Sequence, residues 1–284
     1  MAFSISPAAA RLPGDDVDVA LGRLRAELRR LGTVTVAFSG GADSALLAWV
    51  AADVLGAGRA RAVTATSASL AAAELDDCRS LAAEWALDWR SVDTEELADP
   101  AYVANDGDRC YWCKQALVDA LGPIAGADGA TVVLGVNVDD LGDHRPGQRA
   151  AAERGARFPL VDAGFSKAMV REASRRLGLR TADKPAAACL ASRLPYGTPV
   201  TIGLLAEVEA AEAALAGLGF GEARVRHYRE AARVEVPLDR LAEVVLRRQA
   251  VVAAVKAVGY RYVTVDLEGL RSGNLNAALG QAGA

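Results

Sequence analysis

The stretch from Thr33 to Ser44, TVTVAFSGGADS, decides the fold of this chain. Residues 33–39 are almost all β-branched or apolar, which is typical of a strand buried on both faces of a parallel sheet. Two glycines follow and make a turn, and the alanine- and leucine-rich run that begins at Ser44 predicts a helix. The sequence therefore predicts a strand that turns through glycine into a helix.

The same alternation of strand and helix recurs on both sides of this stretch. Hydrophobic spacing predicts one helix before this stretch, at residues 15–30. After the strand at 33–39 and the helix that follows it, the spacing predicts strand 60–67, helix 70–86, strand 88–94, a helix from Cys110 and strand 131–139. Such alternation implies right-handed crossovers and a parallel sheet covered by helices. We predict an α/β domain with a doubly wound parallel sheet over residues 1–193.

The pattern changes after the proline- and glycine-rich stretch at residues 192–201. There the order becomes helix 203–217, strand 222–228, strand 231–236, helix 238–257 and strand 260–266. This order predicts a smaller α+β domain over residues 194–284, which we expect to bind substrate or mediate oligomerisation.

Composition limits the classes of function. The 284 residues are 52% hydrophobic, enough for about two domains with real cores, yet no apolar run approaches the ~18 residues of a membrane span. The first residues do not resemble a signal peptide, so we expect a cytoplasmic protein with no membrane partner. A net charge of −4 argues against a nucleic-acid partner.

The turn at residues 39–44 has the features of a phosphate site. Gly40 and Gly41 let the backbone approach a ligand, and the amides of the loop and helix start point toward a bound anion. Ser39 and Ser44 add hydroxyl donors. Asp43 would repel phosphate unless a divalent cation lay between them, which indicates Mg²⁺. The alternative is an ordinary strand-to-helix turn, and the spacing matches neither the dinucleotide fingerprint nor the Walker loop.

A second polar cluster follows the strand predicted at residues 131–139. Asn137, Asp139 and Asp140 stand at the carboxyl end of a parallel strand, where open α/β sheets bind ligands, and Arg145 lies on the same loop. These residues are candidates for holding Mg²⁺, ribose or the activated substrate. In the alternative, the two aspartates cap the next segment. We also place Thr64 in this nucleotide site.

Two of the four cysteines, Cys110 and Cys113, lie three residues apart in DRCYWCK. They flank a predicted helix start, where the helix dipole and the neighbouring Arg109 and Lys114 favour thiolate. In a reducing compartment such a pair is either a metal chelate or a dithiol redox pair, and two thiolates alone complete neither a tetrahedral zinc site nor an iron–sulfur cluster.

The two remaining cysteines have different surroundings. Cys189 lies in a polar loop between the two predicted domains and is a candidate third ligand. Cys78 lies inside an alanine-rich helix and is predicted to be a small buried hydrophobe.

Taken together, the motifs resemble one family. SGGADS resembles the PP-loop of the ATP pyrophosphatase superfamily, and the whole set resembles the LarE family of ATP-dependent sulfur transferases. The set comprises SGGADS (39–44), DRCYWCK (108–114), GVNVDDLGDHRPG (135–147), KPAAACLASRLPYGTPVT (184–201), ARVRHY with ARVEV (223–236) and GLRSGNLN (269–276). The resemblance implies an adenine nucleotide α-hydrolase-like PP-loop domain. It also implies that ATP adenylylates pyridinium-3,5-biscarboxylic acid mononucleotide, which sulfur then converts to the thiocarboxylate of nickel-pincer nucleotide biosynthesis.

The resemblance also implies two possible sulfur sources. In some members the cysteine matched by Cys189 gives up its own sulfur. In others three cysteines hold a 4Fe-4S cluster whose open iron carries sulfide. Because this chain has Cys110, Cys113 and Cys189, we predict that these three are the catalytic cluster ligands and that sulfide or another sulfur donor is a partner. A homo-oligomer is expected from the same resemblance.

The substrate is anionic and needs cations. Arg224 and Arg226 lie two apart on a predicted strand, so they face one side and form a candidate phosphate clamp, the alternative being a solvated strand face. Further candidate donors are Ser192, Arg193, Arg271 and Ser272, and Glu212, Glu235 and Glu243 are candidates for a nearby metal.

Two rival functions fit part of the pattern. A PP-loop tRNA thiolase would use the same cysteines, but it would need a basic surface with aromatic residues, and this chain has 5% aromatics and an acidic balance. A nucleotide-binding sensor would bind ATP without releasing pyrophosphate.

Overall fold

The computed structural model describes residues 17–56, 58–142, 146–185 and 188–271. Within these residues the chain forms two compact units. The first contains the chain up to Thr66, residues 72–94 and the chain from Lys114 to residue 185, and the second contains residues 67–71, residues 95–113 and the chain from Ala188 onward. The predicted boundary after residue 193 divides the chain once. The second unit also includes two segments that precede this boundary, residues 67–71 and residues 95–113.

The first unit is an α/β layer structure. Its strands are β1 (Val34–Ala37), β2 (Ala60–Thr66), β3 (Asp88–Asp93) and β4 (Thr131–Leu134). Its helices are α1 (Val17–Leu31), α2 (Ala42–Leu55), α3 (Ala72–Glu84), α6 (Pro146–Glu153), α7 (Pro159–Asp162), α8 (Lys167–Arg176) and most of α5 (Arg109–Ala127). All strand pairs are parallel, in the order β3-β2-β1-β4, which confirms the predicted parallel α/β sheet.

Two hydrophobic cores cover this sheet. In one core Val34 and Val36 of β1 pack with α1 and α2, through residues such as Leu24 and Leu46 that are fully buried. The other core joins Leu134 of β4 to α5. Because helices cover the sheet through both cores, β1 and β4 are buried along most of their length, as the sequence predicted, whereas the edge strand β3 is polar and largely exposed.

The order of strands places one ligand-binding position in the sheet. β1 pairs with β2 on one side and with β4 on the other, so the direction of the chain's winding reverses between β1 and β4. In open α/β sheets, ligands bind beyond the carboxyl ends of the strands at such a point. The turn at residues 39–41 and the segment after Leu134 both leave the sheet there.

The strand predicted over residues 131–139 is too long. β4 ends at Leu134, and a 3₁₀ helix occupies Val138–Gly142. The backbone leaves the sheet because Val138 N donates to the carbonyl of Phe165 at 2.8 Å instead of to a neighbouring strand. The polar residues after the strand therefore lie on a loop and a 3₁₀ turn.

The second unit contains a small mixed sheet. Strands β5 (Arg224–Tyr228), β6 (Ala231–Glu235) and β7 (Tyr262–Val265) are accompanied by helices α4 (Pro100–Val103), α9 (Ile202–Gly217), α10 (Leu241–Leu246) and α11 (Arg248–Val258). β5 and β6 are antiparallel, and β6 and β7 are parallel. The core includes Leu215 and Val255, both almost fully buried. This arrangement confirms the small α+β region near the C-terminus.

One helix of this unit differs from its prediction. The helix predicted over 238–257 is divided into a 3₁₀ turn at Leu238–Arg240, then α10 and α11, because Arg247 has the non-helical dihedral angles of a cap between them. In the described ranges, no helix has both the length and the apolar character needed to cross a bilayer.

Gly135 permits the closest approach between β4 and α2. A Cβ atom at this position would lie 2.6 Å from the backbone nitrogen of Ser44 and 2.8 Å from the carbonyl carbon of Asp43. Real Cβ atoms do not approach backbone so closely. The backbone of the first turn of α2 can therefore lie this close to residue 135 because residue 135 has no side chain.

We predict that Gly135→Ala lowers the free energy of unfolding by about 1–3 kcal/mol, the usual cost of overpacking, as measured by urea denaturation. Gly22→Ala is the matched control in the same unit: Gly22 lies within α1 and its Cβ would meet nothing within 4 Å. The control should gain up to about 1 kcal/mol, because alanine is the better helix former. Equal stability of the two variants would contradict the proposed contact.

Candidate functional site

The turn between β1 and α2 is shaped by two glycines. Gly40 has φ of +67°, in the left-handed region that favours glycine, and a Cβ there would lie 3.0 Å from the sulfur of Cys78. Gly41 is the N-cap of α2 and has no side chain with which to cap the helix. Such a helix start directs its first-turn amides at a ligand, so the local geometry suits an anion.

Ser39 and Ser44 bond to each other across this turn. Their hydroxyl oxygens are 3.0 Å apart, Ser39 N donates to Ser44 Oγ at 3.2 Å, and Ser44 Oγ lies 3.1 Å from the carbonyl of Gly41. Ser44 is also buried. The two residues predicted as phosphate donors therefore also hold the loop in its shape.

Thr64 supports the loop from the neighbouring strand. Its buried hydroxyl donates to the carbonyl of Phe38 at 2.7 Å and accepts from the indole nitrogen of Trp89 at 2.9 Å. Cys78 also lies beneath the loop: it is fully buried, as predicted, and burial raises the pKa of its thiol to about 11. Thr64 thus bonds to the backbone just before the turn, and Cys78 fills the space beneath Gly40.

Asp43 and Asn137 meet where the two strands end. Asn137 Nδ2 donates to Asp43 Oδ1 at 2.8 Å, and Asn137 is fully buried. Burial raises the pKa of the Asp43 carboxyl, and the nearby charge of Asp140 raises it further, against the bond from Asn137. Two carboxylates held close together in a buried place are stabilised by a cation.

Lys167 is a residue that sequence reasoning missed. Its ammonium group lies 3.1 Å from Asp140 Oδ1, and its charge opposes the rise in the pKa of Asp43. Lys167 is the first residue of α8. No pattern in the sequence indicated it, because it is more than twenty positions from either aspartate and only the fold brings α8 to this point.

Asp139 bonds to the start of α8, whereas the alternative interpretation expected both aspartates to cap the next segment. Its carboxylate accepts from the backbone nitrogen of Lys167 at 2.8 Å, at the start of α8, so it caps a later segment. Arg145, predicted for the same loop, lies outside the described residues.

The three candidate ligand cysteines all belong to the second unit. Cys110 is exposed and Cys113 half-buried in the first turn of α5, and Cys189 is half-buried just before the 3₁₀ helix Leu190–Arg193. Cys113 and Cys189 pack against one apolar cluster that contains Tyr102 and Leu190. Burial raises the pKa of the Tyr102 hydroxyl, and Cys189 and Cys113 raise it further, so both sulfurs lie near this ring.

The donor chemistry of this set suits iron. Three thiols from one compact unit are the ligand type that iron–sulfur clusters use. Among the residues that the structure describes, no three His, Cys, Asp or Glu side chains are grouped closely enough to hold a metal ion. The three-cysteine ligand set therefore stays a prediction.

Arg193 ties the Cys189 loop to α9. Its guanidinium donates to both carboxylate oxygens of Glu212, at 2.8 and 3.0 Å, and to the carbonyls of Ala188 and Cys189, at 2.6 and 3.2 Å. Such a bidentate pair restricts both side chains. The backbone of Cys189 is consequently fixed by an arginine that is itself held in place.

Arg226 and Glu235 form a buried ion pair beside this loop. Arg226 Nε donates to Glu235 Oε2 at 3.0 Å, and Nη1 donates to the carbonyl of Ser192 at 2.6 Å. Both side chains are almost completely buried, and Glu235 also accepts from Arg233. The structure therefore differs from the predicted phosphate clamp at Arg226, because its guanidinium already donates to Glu235 and to the carbonyl of Ser192.

Arg224 lies near two arginines, Arg193 and Arg226, and two glutamates, Glu212 and Glu235. Burial lowers the pKa of its guanidinium, and the neighbouring charges of Arg193 and Arg226 lower it further. An anion bound at Arg224 would offset both effects. The structure thus brings together the three predicted arginines, with Ser192 on the same loop.

The remaining predicted residues that the structure describes are paired with oppositely charged side chains. Arg271 is partly exposed and pairs with Glu268, three residues earlier, while Ser272 is outside the described residues. The three acids considered for a metal are each paired with arginine: Glu212 with Arg193, Glu235 with Arg226 and Arg233, and Glu243 with Arg240 and Arg247.

Known proteins resemble the chain over most of its length, although no protein-family model matches it. It is 40% identical over 260 residues to the pyridinium-3,5-bisthiocarboxylic acid mononucleotide synthase of Lactiplantibacillus plantarum, covering 91% of this chain and 94% of that protein. It is 45% identical over 262 residues to an uncharacterized protein of Synechocystis sp., covering 91% and 97%. An uncharacterized protein of Methanocaldococcus jannaschii is 25% identical over 240 residues, covering 84% and 91%.

We predict that Asp43→Asn stabilises the ligand-free protein at neutral pH while it abolishes any release of pyrophosphate from ATP. Asparagine keeps the oxygen that accepts from Asn137 and removes a buried charge. Chemical denaturation and a pyrophosphate assay measure the two effects. The control is Asp53→Asn on the same helix, an exposed residue paired with Arg25 at 3.4 Å, which should change stability by at most about 1 kcal/mol and leave activity intact.

The stabilisation by Asp43→Asn should depend on pH. Because the folded-state pKa of Asp43 is raised, the wild type loses stability as pH rises from the unfolded value of about 3.9 through the folded value. The difference in unfolding free energy should therefore be small below that range, increase through it and level off above it. A difference that shrinks with rising pH would contradict the raised pKa.

Proposed function

Because the chain belongs to the pyridinium-3,5-bisthiocarboxylic acid mononucleotide synthase family, we propose that it transfers sulfur to a carboxylate of a pyridinium dicarboxylate mononucleotide, in an ATP-dependent reaction. The observation that carries the proposal is the group of three arginines, Arg193, Arg224 and Arg226, around the loop that holds Cys189. An anionic substrate and a sulfur-bearing residue are the two requirements of this reaction.

Activation of the carboxylate is assigned to the first unit. ATP would bind with its phosphates against residues 39–44, where the amides at the start of α2 and a Mg²⁺ ion held by Asp43 offset their charge. A substrate carboxylate oxygen attacks the α-phosphorus, pyrophosphate leaves, and an acyl adenylate results. Asp140 and Lys167 set the charge around Asp43.

Substrate binding is assigned to the second unit. The phosphate of the mononucleotide would contact Arg224, whose charge is destabilised by burial and by its two arginine neighbours. Arg226 contributes through its field, since Glu235 and the carbonyl of Ser192 occupy its donors. Arg193 holds the backbone of Cys189 and so orients the residue that delivers sulfur.

Sulfur then replaces AMP on the activated carboxyl carbon. Cys110, Cys113 and Cys189 would hold a 4Fe-4S cluster, which when bound supplies a replaceable sulfide. The alternative is that Cys189 gives up its own sulfur and is consumed. From the family resemblance we further propose that sulfide is the sulfur donor and that the protein is a homo-oligomer.

We predict that Arg224→Gln weakens binding of the mononucleotide by ~10 to 150-fold, the value of one charge-assisted hydrogen bond, with ATP affinity unchanged. Isothermal titration with each ligand measures both affinities. Arg261→Gln is the matched control, because Arg261 is an exposed arginine of the same unit that pairs with Glu230. An equal loss of affinity for ATP and mononucleotide would reject the separate assignment of the two ligands.

A second experiment tests the cysteines. Anaerobically reconstituted wild type and the four single Cys→Ala variants are compared for iron content and for thiocarboxylate formed with added sulfide. We expect Cys110→Ala, Cys113→Ala and Cys189→Ala to lose both, and the buried Cys78→Ala to retain both. If Cys110→Ala and Cys113→Ala stay fully active while Cys189 of the wild type loses the mass of H₂S per turnover, the sacrificial route is the correct one.

A further inference from the structure

A buried arginine that the proposed reaction does not use connects the two cysteine-bearing segments of the second unit. Arg109 is the first residue of α5, directly before Cys110, and its side chain is almost completely buried. Its Nη1 atom donates to Asn105 Oδ1 at 2.5 Å and to the carbonyl of Ala191 at 2.9 Å. Ala191 lies two residues after Cys189.

Asn105 extends this connection along the same loop. Its fully buried side-chain amide donates to the carbonyls of Pro195 at 2.9 Å and Thr198 at 2.8 Å, and its own carbonyl accepts from Gly197 N at 3.0 Å. Asn105 has φ of +54°, which asparagine tolerates better than most residues. Arg109 and Asn105 thus bond to each other and together hold the loop from residue 191 to residue 198.

The guanidinium of Arg109 lies near thiols and tyrosine rings. Burial acts to lower the pKa of its guanidinium, but the neighbouring Cys189 and Cys110 raise it above its usual value. Its guanidinium also lies over the ring of Tyr196, 5.9 Å from the centroid. Burying a guanidinium is costly unless its environment compensates, and here two oxygen acceptors and the face of the Tyr196 ring offset part of that cost.

We propose that Arg109 is a positioning residue for sulfur delivery, which holds the Cys189 loop against the C-x-x-C turn and keeps a permanent positive charge beside the sulfurs of Cys110 and Cys189. This inference rests on the proposed sulfur transfer. Arginine suits the role because one planar guanidinium donates in two directions and stays charged when buried. Lysine would keep the charge but would lose the geometry that joins Asn105 and Ala191.

The test separates activation from sulfur transfer in the full-length reconstituted enzyme. Arg109→Lys and Arg109→Gln are compared with the wild type for two quantities: the single-turnover burst of pyrophosphate and the thiocarboxylate formed per pyrophosphate. We expect both variants to keep the burst within about twofold and to form at least about tenfold less thiocarboxylate, with Lys less impaired than Gln because it keeps the charge. Arg247→Gln, a partly exposed arginine of the same unit, is the control for both quantities.

A second readout does not depend on activity. In the metal-free protein we expect diamide to oxidise Cys189 and a cysteine of the C-x-x-C pair to a disulfide, and peptide mass mapping measures the rate at which it forms. Both Arg109 variants should slow this step, whereas circular dichroism and the unfolding midpoint report whether the fold is retained.

Three results would overturn the inference: equal loss of burst and product, unchanged product yield, or cross-linking as fast as in the wild type. A wild type that releases pyrophosphate but forms no thiocarboxylate would instead reject the proposed function. In that case the rate of cross-linking still decides whether Arg109 positions the two segments.

Discussion

The contact between Gly135 and the first turn of α2 is the constraint on which the candidate nucleotide site depends. It lets the end of β4 lie against the backbone of Asp43 and Ser44, and from there Asn137 reaches the carboxylate of Asp43 at 2.8 Å. A side chain at position 135 would clash with this backbone. The polar groups that follow β1 and β4 meet because the two strands are paired neighbours, and the missing Cβ atom of Gly135 leaves room there for the first turn of α2.

In the second unit, ion pairs hold the candidate site residues in position. Arg193 is held by Glu212 and Arg226 by Glu235, and both arginines bond to carbonyls of the loop that contains Cys189, beside Arg224. Buried ion pairs contribute little to net stability compared with apolar packing of the same volume. Their value here is orientation, since the guanidiniums bond to loop carbonyls that no apolar residue would hold.

In the proposed reaction the two units divide the chemistry between them. The turn at residues 39–44 offers backbone amides and a buried carboxylate, which suit a nucleotide with a cation. The second unit offers thiols and guanidiniums, which suit sulfur transfer to an anionic substrate. Each group of residues is incomplete for an adenylylation followed by sulfur transfer, so the proposed reaction requires both.

The sequence by itself determined the parallel α/β sheet, the glycine turn at residues 39–44, the buried Cys78 and the small α+β region, because hydrophobic period and glycine chemistry are local properties. Local sequence motifs also made Asp43, Asn137, Arg193, Arg224 and Arg226 candidate site residues. Only the tertiary structure decided that β4 ends at Leu134 and that Glu235 accepts a hydrogen bond from Arg226. It also decided that Lys167 lies beside Asp140 and that Arg109 bonds to the loop after Cys189. These contacts join residues far apart in the chain, and their partners depend on how the backbone folds, which no local pattern encodes.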